Sequence, residues 1–111
     1  MPKKKSKYIG GNCYQGAFDY VMSHDGWTLV HGIAVVTAGP NKGKKFGHAW
    51  CERGEIVYDA ASDMEVPKII YYAIGQVGYT HPYTKEQARE EVLQSMTYGY
   101  WDSKLATALH S

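Results

Sequence analysis

Apolar side chains near the start of the chain follow the spacing of an amphipathic helix. They recur at intervals of three and four residues, at Tyr14, Ala17, Phe18, Val21 and Met22. This spacing places them on one face of a helix that packs against a core. Asn12 is a suitable N-cap residue, and Gln15 completes the pattern of a capping box three positions later. We therefore expect a helix that begins at Cys13 and ends at the His24-Asp25-Gly26 segment.

The middle of the chain has the pattern of an antiparallel sheet. Residues 27–37 are apolar and β-branched on both alternating faces, which is typical of a strand buried on each side. After an exposed turn at 38–44, residues 45–52 and 55–59 are predicted to be two strands joined through Arg53-Gly54, where glycine can adopt a positive φ. Residues 66–83 have strand composition but could also continue as a short helix after Pro67. We expect two further strands there, broken near Gly75 or Gly78.

Helical patterns return towards the C-terminus. Thr84 and Gln87 match a second capping box, which predicts a helix that begins after Thr84. The apolar face of this helix contains Ala88, Val92 and Met96. Residues 101–110 are expected to form a last short helix, capped by Asp102 or Ser103. The chain is therefore predicted to be an α+β protein, in which an N-terminal helix carrying Cys13 packs on an antiparallel sheet of four to five strands, with one or more helices at the C-terminus.

Length and charge narrow the class of protein. The 111 residues suffice for a single domain, which we expect over residues 10–111, after a flexible basic arm over residues 1–9. The net charge of +1 falls to about −3 without the four lysines of that arm. No basic stripe with interleaved aromatic residues follows, so the sequence disfavours nucleic-acid binding. Since no stretch approaches the ~20 apolar residues of a membrane span or resembles a signal peptide, we expect a cytoplasmic protein without membrane association.

Cys13 is predicted to be the first residue of a helix, a position that activates thiols. Unpaired backbone N–H groups and the helix dipole stabilise an anion there, and thiolates at helix N-termini are nucleophiles at neutral pH. A lone cysteine is more often a small buried hydrophobic residue. The glycine-rich approach through Gly10-Gly11 and the position at the helix start favour a reactive thiol in this chain.

His48 and Asp59 are predicted to face each other across a hairpin. Alternation along the strand places His48 on the same face as Phe46 and Trp50. An even-length loop centred on Arg53-Gly54 pairs His48 with Asp59, with about 4.5–5.5 Å between their Cβ atoms. A carboxylate at that distance can accept the imidazole N–H and fix the tautomer. A loop of odd length or a β-bulge would break this pairing.

Three short motifs resemble those of transglutaminase-like and papain-like cysteine enzymes. The Gly-x-Cys-aromatic-x-x-small segment of these enzymes resembles residues 11–18, and their His-aliphatic-Trp-x-Glu strand resembles residues 48–52. The strand that ends in the transglutaminase-like Asp resembles residues 57–62, and the order Cys, His, Asp is the transglutaminase-like order. The chain departs from the family in two respects: Ala60 replaces the usual Pro, and the stretch from Cys to His is short for an animal-type transglutaminase.

The resemblance implies an acyl-transfer enzyme that acts on amide bonds of a protein or peptide, as a deamidase, a transglutaminase or a peptidase. Cys13 would be the nucleophile, His48 the base and acid, and Asp59 the group that orients the imidazole. The backbone N–H of Cys13 would be one oxyanion donor. The candidates for the second oxyanion donor are Tyr8, Asn12 and Gln15. No cofactor is implied.

Other residues leave alternatives open. His31 is expected to be a hydrogen-bonded histidine of the core or of a substrate subsite, and Trp50 is a further candidate for substrate binding. A metal site is disfavoured, because Cys51 and His48 point to opposite faces of one strand and no metal-binding spacing is present. Such a site would combine Cys13, His31, His48 and Cys51.

The alternative function is a non-catalytic protein-interaction module, or a small effector, on the same fold. The sequence leaves the oligomeric state open.

Overall fold

Helix α1 forms where the apolar stripe predicts it. The computed structural model describes residues 13–109 of the chain, and α1 spans Cys13–Ser23. Its buried positions include Ala17, Phe18 and Val21, which belong to the predicted stripe. The expected N-cap Asn12 and the basic arm lie outside the described residues.

Five strands form one antiparallel sheet beside α1. The order across the sheet is β4-β3-β2-β1-β5, so β1, β2 and β3 each have a neighbour on both sides. β1 pairs with β2 along its whole length, whereas β3 pairs with only the last three residues of β2. The strands are β1 Thr28–Val35, β2 Lys45–Arg53, β3 Ile56–Asp59, β4 Met64–Pro67 and β5 Thr80–Tyr83.

The sheet buries a different hydrophobic cluster on each face. The cluster on the side of α1 contains Leu29, Ala49 and Cys51. The cluster on the opposite side contains Val30, Trp50 and Val57. Because both faces are covered, all but the end residues of β1 are buried, as predicted for a central strand. Alternation along β2 places His48 on the face of Trp50, away from α1.

The turn between β2 and β3 is shifted by one residue from its predicted position. β2 continues to Arg53, and the two loop residues are Gly54 and Glu55. Gly54 has φ +59, a positive φ at the first loop residue that type II′ hairpin turns require. The shift changes the pairing between the two strands by two positions. The prediction that His48 lies directly opposite Asp59 is therefore wrong.

Residues 66–83 contain a helix where an extended strand was expected. Helix α2 spans Lys68–Ile74 and lies between β4 and β5. Pro67 ends β4 with φ −56° and ψ 134°, an extended conformation from which a helix can begin without losing a hydrogen bond. The apolar run that follows packs over the second face of the sheet as a helix. Of the two strands predicted around Gly75 and Gly78, only the second one exists, as β5.

The C-terminal helices begin at the predicted caps. The hydroxyl of Thr84 accepts a hydrogen bond from the Gln87 backbone N–H at 3.1 Å, and the Gln87 side chain accepts one from the Thr84 N–H at 3.0 Å. Asp102 Oδ1 accepts from the Lys104 N–H at 3.0 Å at the start of the last helix. These helices are α3 Lys85–Ser95 and α4 Ser103–Leu109. The predicted α+β class is confirmed, with a helix carrying Cys13 before the sheet and helices after it.

Candidate functional site

His48 and Asp59 are in contact although they are not directly opposite. His48 Nε2 lies 3.3 Å from Asp59 Oδ2. The contact runs diagonally between β2 and the end of β3, a separation that polar side chains can span. Only 14% of the His48 side chain and 13% of the Asp59 side chain are exposed. The bond is therefore largely shielded from water, which strengthens it.

Two further donors fix the Asp59 carboxylate. The Ala61 backbone N–H donates to Oδ1 at 2.9 Å, and the Tyr71 hydroxyl donates to Oδ2 at 2.7 Å. Burial alone would raise the pKa of Asp59, but the hydrogen bonds from His48, Tyr71 and Ala61 outweigh it, and the pKa lies below its ordinary value. Asp59 is therefore an ionised acceptor whose orientation is set from three sides.

Cys13 is the third member of this cluster. It is the first residue of α1 and is buried. Burial lowers the pKa of His48, but hydrogen bonds to Asp59 and Cys13 and the charges of both groups more than offset it, and the pKa rises to about 9. Since Nε2 is directed at Asp59, Nδ1 is the ring nitrogen that remains for the thiol. The arrangement therefore favours a protonated imidazole at neutral pH.

β3 covers only part of β2, and the uncovered part includes His48. Cys13 belongs to the helix on one face of the sheet, whereas the His48 side chain lies on the other. In the described part of the chain, β3 pairs with β2 only from Cys51 to Arg53. The edge of β2 beside His48 is therefore not covered by β3.

Trp50 lies behind the imidazole and not at the surface. It is 0% exposed, and its ring centroid lies 5.8 Å from that of His48. Its Nε1–H donates to Glu52 Oε2 at 2.9 Å. Glu52 also accepts a hydrogen bond from the Tyr72 hydroxyl and forms an ion pair with Lys68 at 3.1 Å. Trp50 has no free surface for a substrate, so its place in the site is to support His48.

An apolar groove begins at the His48–Asp59 pair. Its volume is about 480 Å³, and Tyr71 lines it together with the two paired residues. Its apolar lining includes Ala34, Val35, Phe46, Val66, Ile74 and Val77. The groove brings a nonpolar surface directly beside the imidazole that contacts Cys13.

Of the three candidates for the second oxyanion donor, the structure describes only Gln15. Tyr8 and Asn12 lie outside the described residues. Gln15 is half-buried on the first turn of α1. Side chains two positions apart on a helix point to different sides, so Gln15 does not project in the same direction as Cys13.

His31 lies on the other face of the sheet from His48. It is 0% exposed and pairs with Ala49 across β1 and β2, on the side of α1. The rings of Tyr14, Tyr83 and Trp101 surround it, with centroids 4.9, 5.1 and 4.7 Å away. Neither ring nitrogen has a hydrogen-bond partner among residues 13–109, so the described part of the chain does not supply the predicted hydrogen bonds. Burial lowers the pKa of His31 to about 3, which keeps the imidazole neutral in the core.

Cys51 faces α1, on the side of β2 opposite to His48, and the opposite orientation of these two side chains agrees with the prediction. Its Sγ donates to the Ala17 carbonyl oxygen at 3.4 Å, and burial raises the pKa of its thiol. A thiol in this environment is inert towards alkylation. Within residues 13–109, the structure contains no group of three His, Cys, Asp or Glu side chains that could hold a metal ion.

Tyr71 is the site residue that the sequence did not indicate. Its hydroxyl reaches Asp59 because α2 lays the ring over the second face of the sheet. An extended strand at this position would have directed Tyr71 and Tyr72 to opposite faces. The signal that could have found it is the adjacent tyrosine pair after Pro67, since neighbouring residues on a helix are only about 100° apart and can both reach one surface.

No known protein family matches the chain, and neither curated proteins nor solved structures give a match. The class defined by the fold is an α+β protein with Cys13, His48 and Asp59 close together beside an apolar groove. The resemblance to transglutaminase-like and papain-like enzymes stays a prediction from the three motifs. None of the helices within residues 13–109 is long and apolar enough to cross a membrane.

Proposed function

We propose that this protein is a thiol-dependent acyl-transfer enzyme that acts on amide bonds of a protein or peptide. The observation that carries the proposal is the His48 imidazole, whose Nε2 lies 3.3 Å from Asp59 Oδ2. Its pKa is raised, against the effect of burial, by hydrogen bonds to Asp59 and to Cys13 at the start of α1. A nucleophile, a base and a group that orients the base are the components that thiol catalysis requires.

The first half of the reaction forms a thioester. The Cys13 thiolate attacks the amide carbonyl carbon, and the negative charge that develops on the oxygen is stabilised by the Cys13 backbone N–H at the helix N-terminus. The carbon–nitrogen bond then breaks as the His48 imidazolium gives its proton to the leaving nitrogen. Asp59 holds the imidazole through Nε2 and stabilises its protonated form.

The second half releases the acyl group. Neutral His48 takes a proton from a water molecule or an amine, which attacks the thioester carbon. The carbon–sulfur bond breaks, and the product is a carboxylic acid or a new amide. The Cys13 thiolate and the His48 imidazolium are restored for the next cycle.

Alkylation of Cys13 by iodoacetamide tests the proposal. The rate would be measured from about pH 4 to about pH 9, and the modified cysteine would be identified by mass spectrometry of the digested protein. We expect Cys13 to react faster than a simple thiol below about pH 7, because the raised pKa of His48 keeps a protonated imidazole beside the sulfur. His48→Ala should slow the reaction at about pH 6 by roughly tenfold or more.

A matched control is His24→Ala, which removes an exposed histidine that follows the opposite end of α1. It should leave the rate and its pH dependence unchanged. The proposal is contradicted if Cys13 reacts no faster than the same cysteine in an unfolded peptide, or if His48→Ala has no effect. Either result would favour the interaction module as the account of this fold.

A further inference from the structure

The groove beside His48 combines nonpolar walls with a single ion pair. Apolar side chains from β1, β2, β4 and the α2 region form most of its lining, and Ile74 at its rim is 63% exposed. Among the described residues that line it, the only charged pair is His48–Asp59, which is already engaged within the protein. A charged group that entered the groove would lose its hydration without gaining a partner, whereas an apolar group would gain by leaving water.

The position of the groove connects it to the proposed chemistry. His48, the proposed base that activates Cys13, lines the groove. A substrate whose carbonyl carbon lies at the Cys13 sulfur can therefore extend past the imidazole into the groove. The volume of about 480 Å³ is sufficient for a large side chain such as a benzyl or isobutyl group.

We infer that the groove selects substrates that carry a large apolar side chain next to the amide attacked by Cys13. This inference rests on the proposed function, because it assigns the groove to the same reaction. It names the substrate class as amides flanked by an aromatic or branched aliphatic residue, and it excludes substrates with a charged group at that position.

Chloroacetamides with different N-substituents test the inference. The Cys13 sulfur displaces chloride to form a thioether, so each reagent places its N-substituent beside the nucleophile. Chloroacetamide itself, N-benzyl chloroacetamide and N-(2-aminoethyl) chloroacetamide would be compared, each rate being divided by the rate with free cysteine. We expect the benzyl reagent to modify Cys13 about tenfold faster than the aminoethyl reagent. Equal corrected rates for the three reagents would overturn the inference.

Two substitutions on α2 test whether the groove causes the preference for the benzyl reagent. Ile74→Glu places a carboxylate at the rim of the groove, whereas Ile69→Glu makes the same change at a 78% exposed position of the same helix that does not line the groove. Ile74→Glu should remove most of the preference for the benzyl reagent over the aminoethyl reagent. Ile69→Glu should retain the parent preference. The inference is wrong if the two variants behave alike.

A binding measurement tests whether the groove binds an apolar group independently of whether Cys13 is a catalytic thiol. N-benzylacetamide, which cannot alkylate, would be titrated while NMR signals of Phe46 and His48 are followed. We expect saturable shifts that Ile74→Glu weakens and Ile69→Glu does not. If the ligand binds in this way but Cys13 is inert to every alkylating reagent, the groove is correct as a site and the proposed catalysis is wrong. If Cys13 is reactive but the ligand does not bind, the groove inference fails and the proposed function remains.

Discussion

The oxygen Oδ2 of Asp59 is the atom on which the geometry of the site depends. It accepts from His48 Nε2 at 3.3 Å and from the Tyr71 hydroxyl at 2.7 Å, while Oδ1 is held by the Ala61 N–H. The shorter bond from Tyr71 restrains the carboxylate that also accepts the longer bond from His48. Tyr71 is therefore a positioning residue that acts on the imidazole through Asp59.

Tyr71→Phe tests this role at the level of a single hydroxyl. Loss of the bond to a buried carboxylate should lower the free energy of unfolding by about 1–2 kcal/mol. It should also slow the alkylation of Cys13 at about pH 6 by about threefold or more, because a less restrained Asp59 orients His48 less well. Denaturant unfolding and iodoacetamide kinetics measure the two effects separately.

Tyr72→Phe is the matched control for this experiment. Tyr72 is the next residue of α2 and also donates to a carboxylate, but its partner is Glu52 and not Asp59. Its loss should affect stability and leave the alkylation of Cys13 unchanged. Equal effects of the two substitutions on alkylation would show that Tyr71 acts only through the stability of the fold.

At the level of elements, local patterns in the sequence were sufficient to predict the helices α1 and α3. The apolar stripe placed α1, and the capping box at Thr84 and Gln87 placed α3. The segment that became α2 could not be assigned in this way, because its apolar run of six residues fits a buried strand as well as a short helix. Its structure is decided by the uncovered second face of the sheet, which is a property of the tertiary fold.

The sequence named the residues of the candidate site, but it did not predict the way in which His48 and Asp59 make contact. The order of Cys13, His48 and Asp59 along the chain and the motifs around them predicted that they form one site. The distance of 3.3 Å between His48 and Asp59 agrees with an imidazole–carboxylate contact. The predicted pairing failed because the loop begins at Gly54, and a shift of one residue in a hairpin loop moves the partner by two positions. The diagonal contact survives since both side chains stay on the same face of the sheet.

The segment between α3 and α4 passes close to the core at Gly99, which makes this glycine a sensitive position. Gly99 has φ +126, and a Cβ there would lie 2.5 Å from His31 Cε1 and 3.1 Å from Tyr14 Cδ1. Gly99→Ala should therefore lower the free energy of unfolding by about 2–4 kcal/mol, through backbone strain and overpacking together.

Gly43→Ala separates the two causes. Gly43 has φ +91 but no atom within 4 Å of its added Cβ, so only the backbone strain applies. We expect a loss of about 1 kcal/mol, measured by denaturant unfolding. A cost at Gly99 no larger than that at Gly43 would mean that the segment moves away from His31 without penalty.

At the scale of the whole molecule, the pKa values of two histidines on opposite faces of the sheet shift in opposite directions, that of the half-buried His48 upwards and that of the buried His31 downwards. The pKa of His48 rises to about 9, so the stability it contributes is complete below its ordinary value of 6.5 and is lost as the pH rises through about 9. The pKa of His31 falls to about 3, so its contribution is complete above 6.5 and is lost as the pH falls towards 3. These two groups together favour maximal stability near neutral pH.

His31→Leu tests the acid side of this behaviour. Both ring nitrogens of His31 lack partners among the described residues, so an apolar side chain of similar volume loses no hydrogen bond there. The unfolded chain binds a proton at His31 below pH 6.5 while the folded protein does not, and this difference should destabilise the parent by about 2 kcal/mol near pH 4.5 relative to pH 7. The variant should lack that part of the acid sensitivity, as measured by denaturant unfolding at the two pH values. His24→Leu, which removes an exposed histidine, should keep the parent's dependence, and an unchanged dependence in His31→Leu would show that the folded protein accommodates a charged His31.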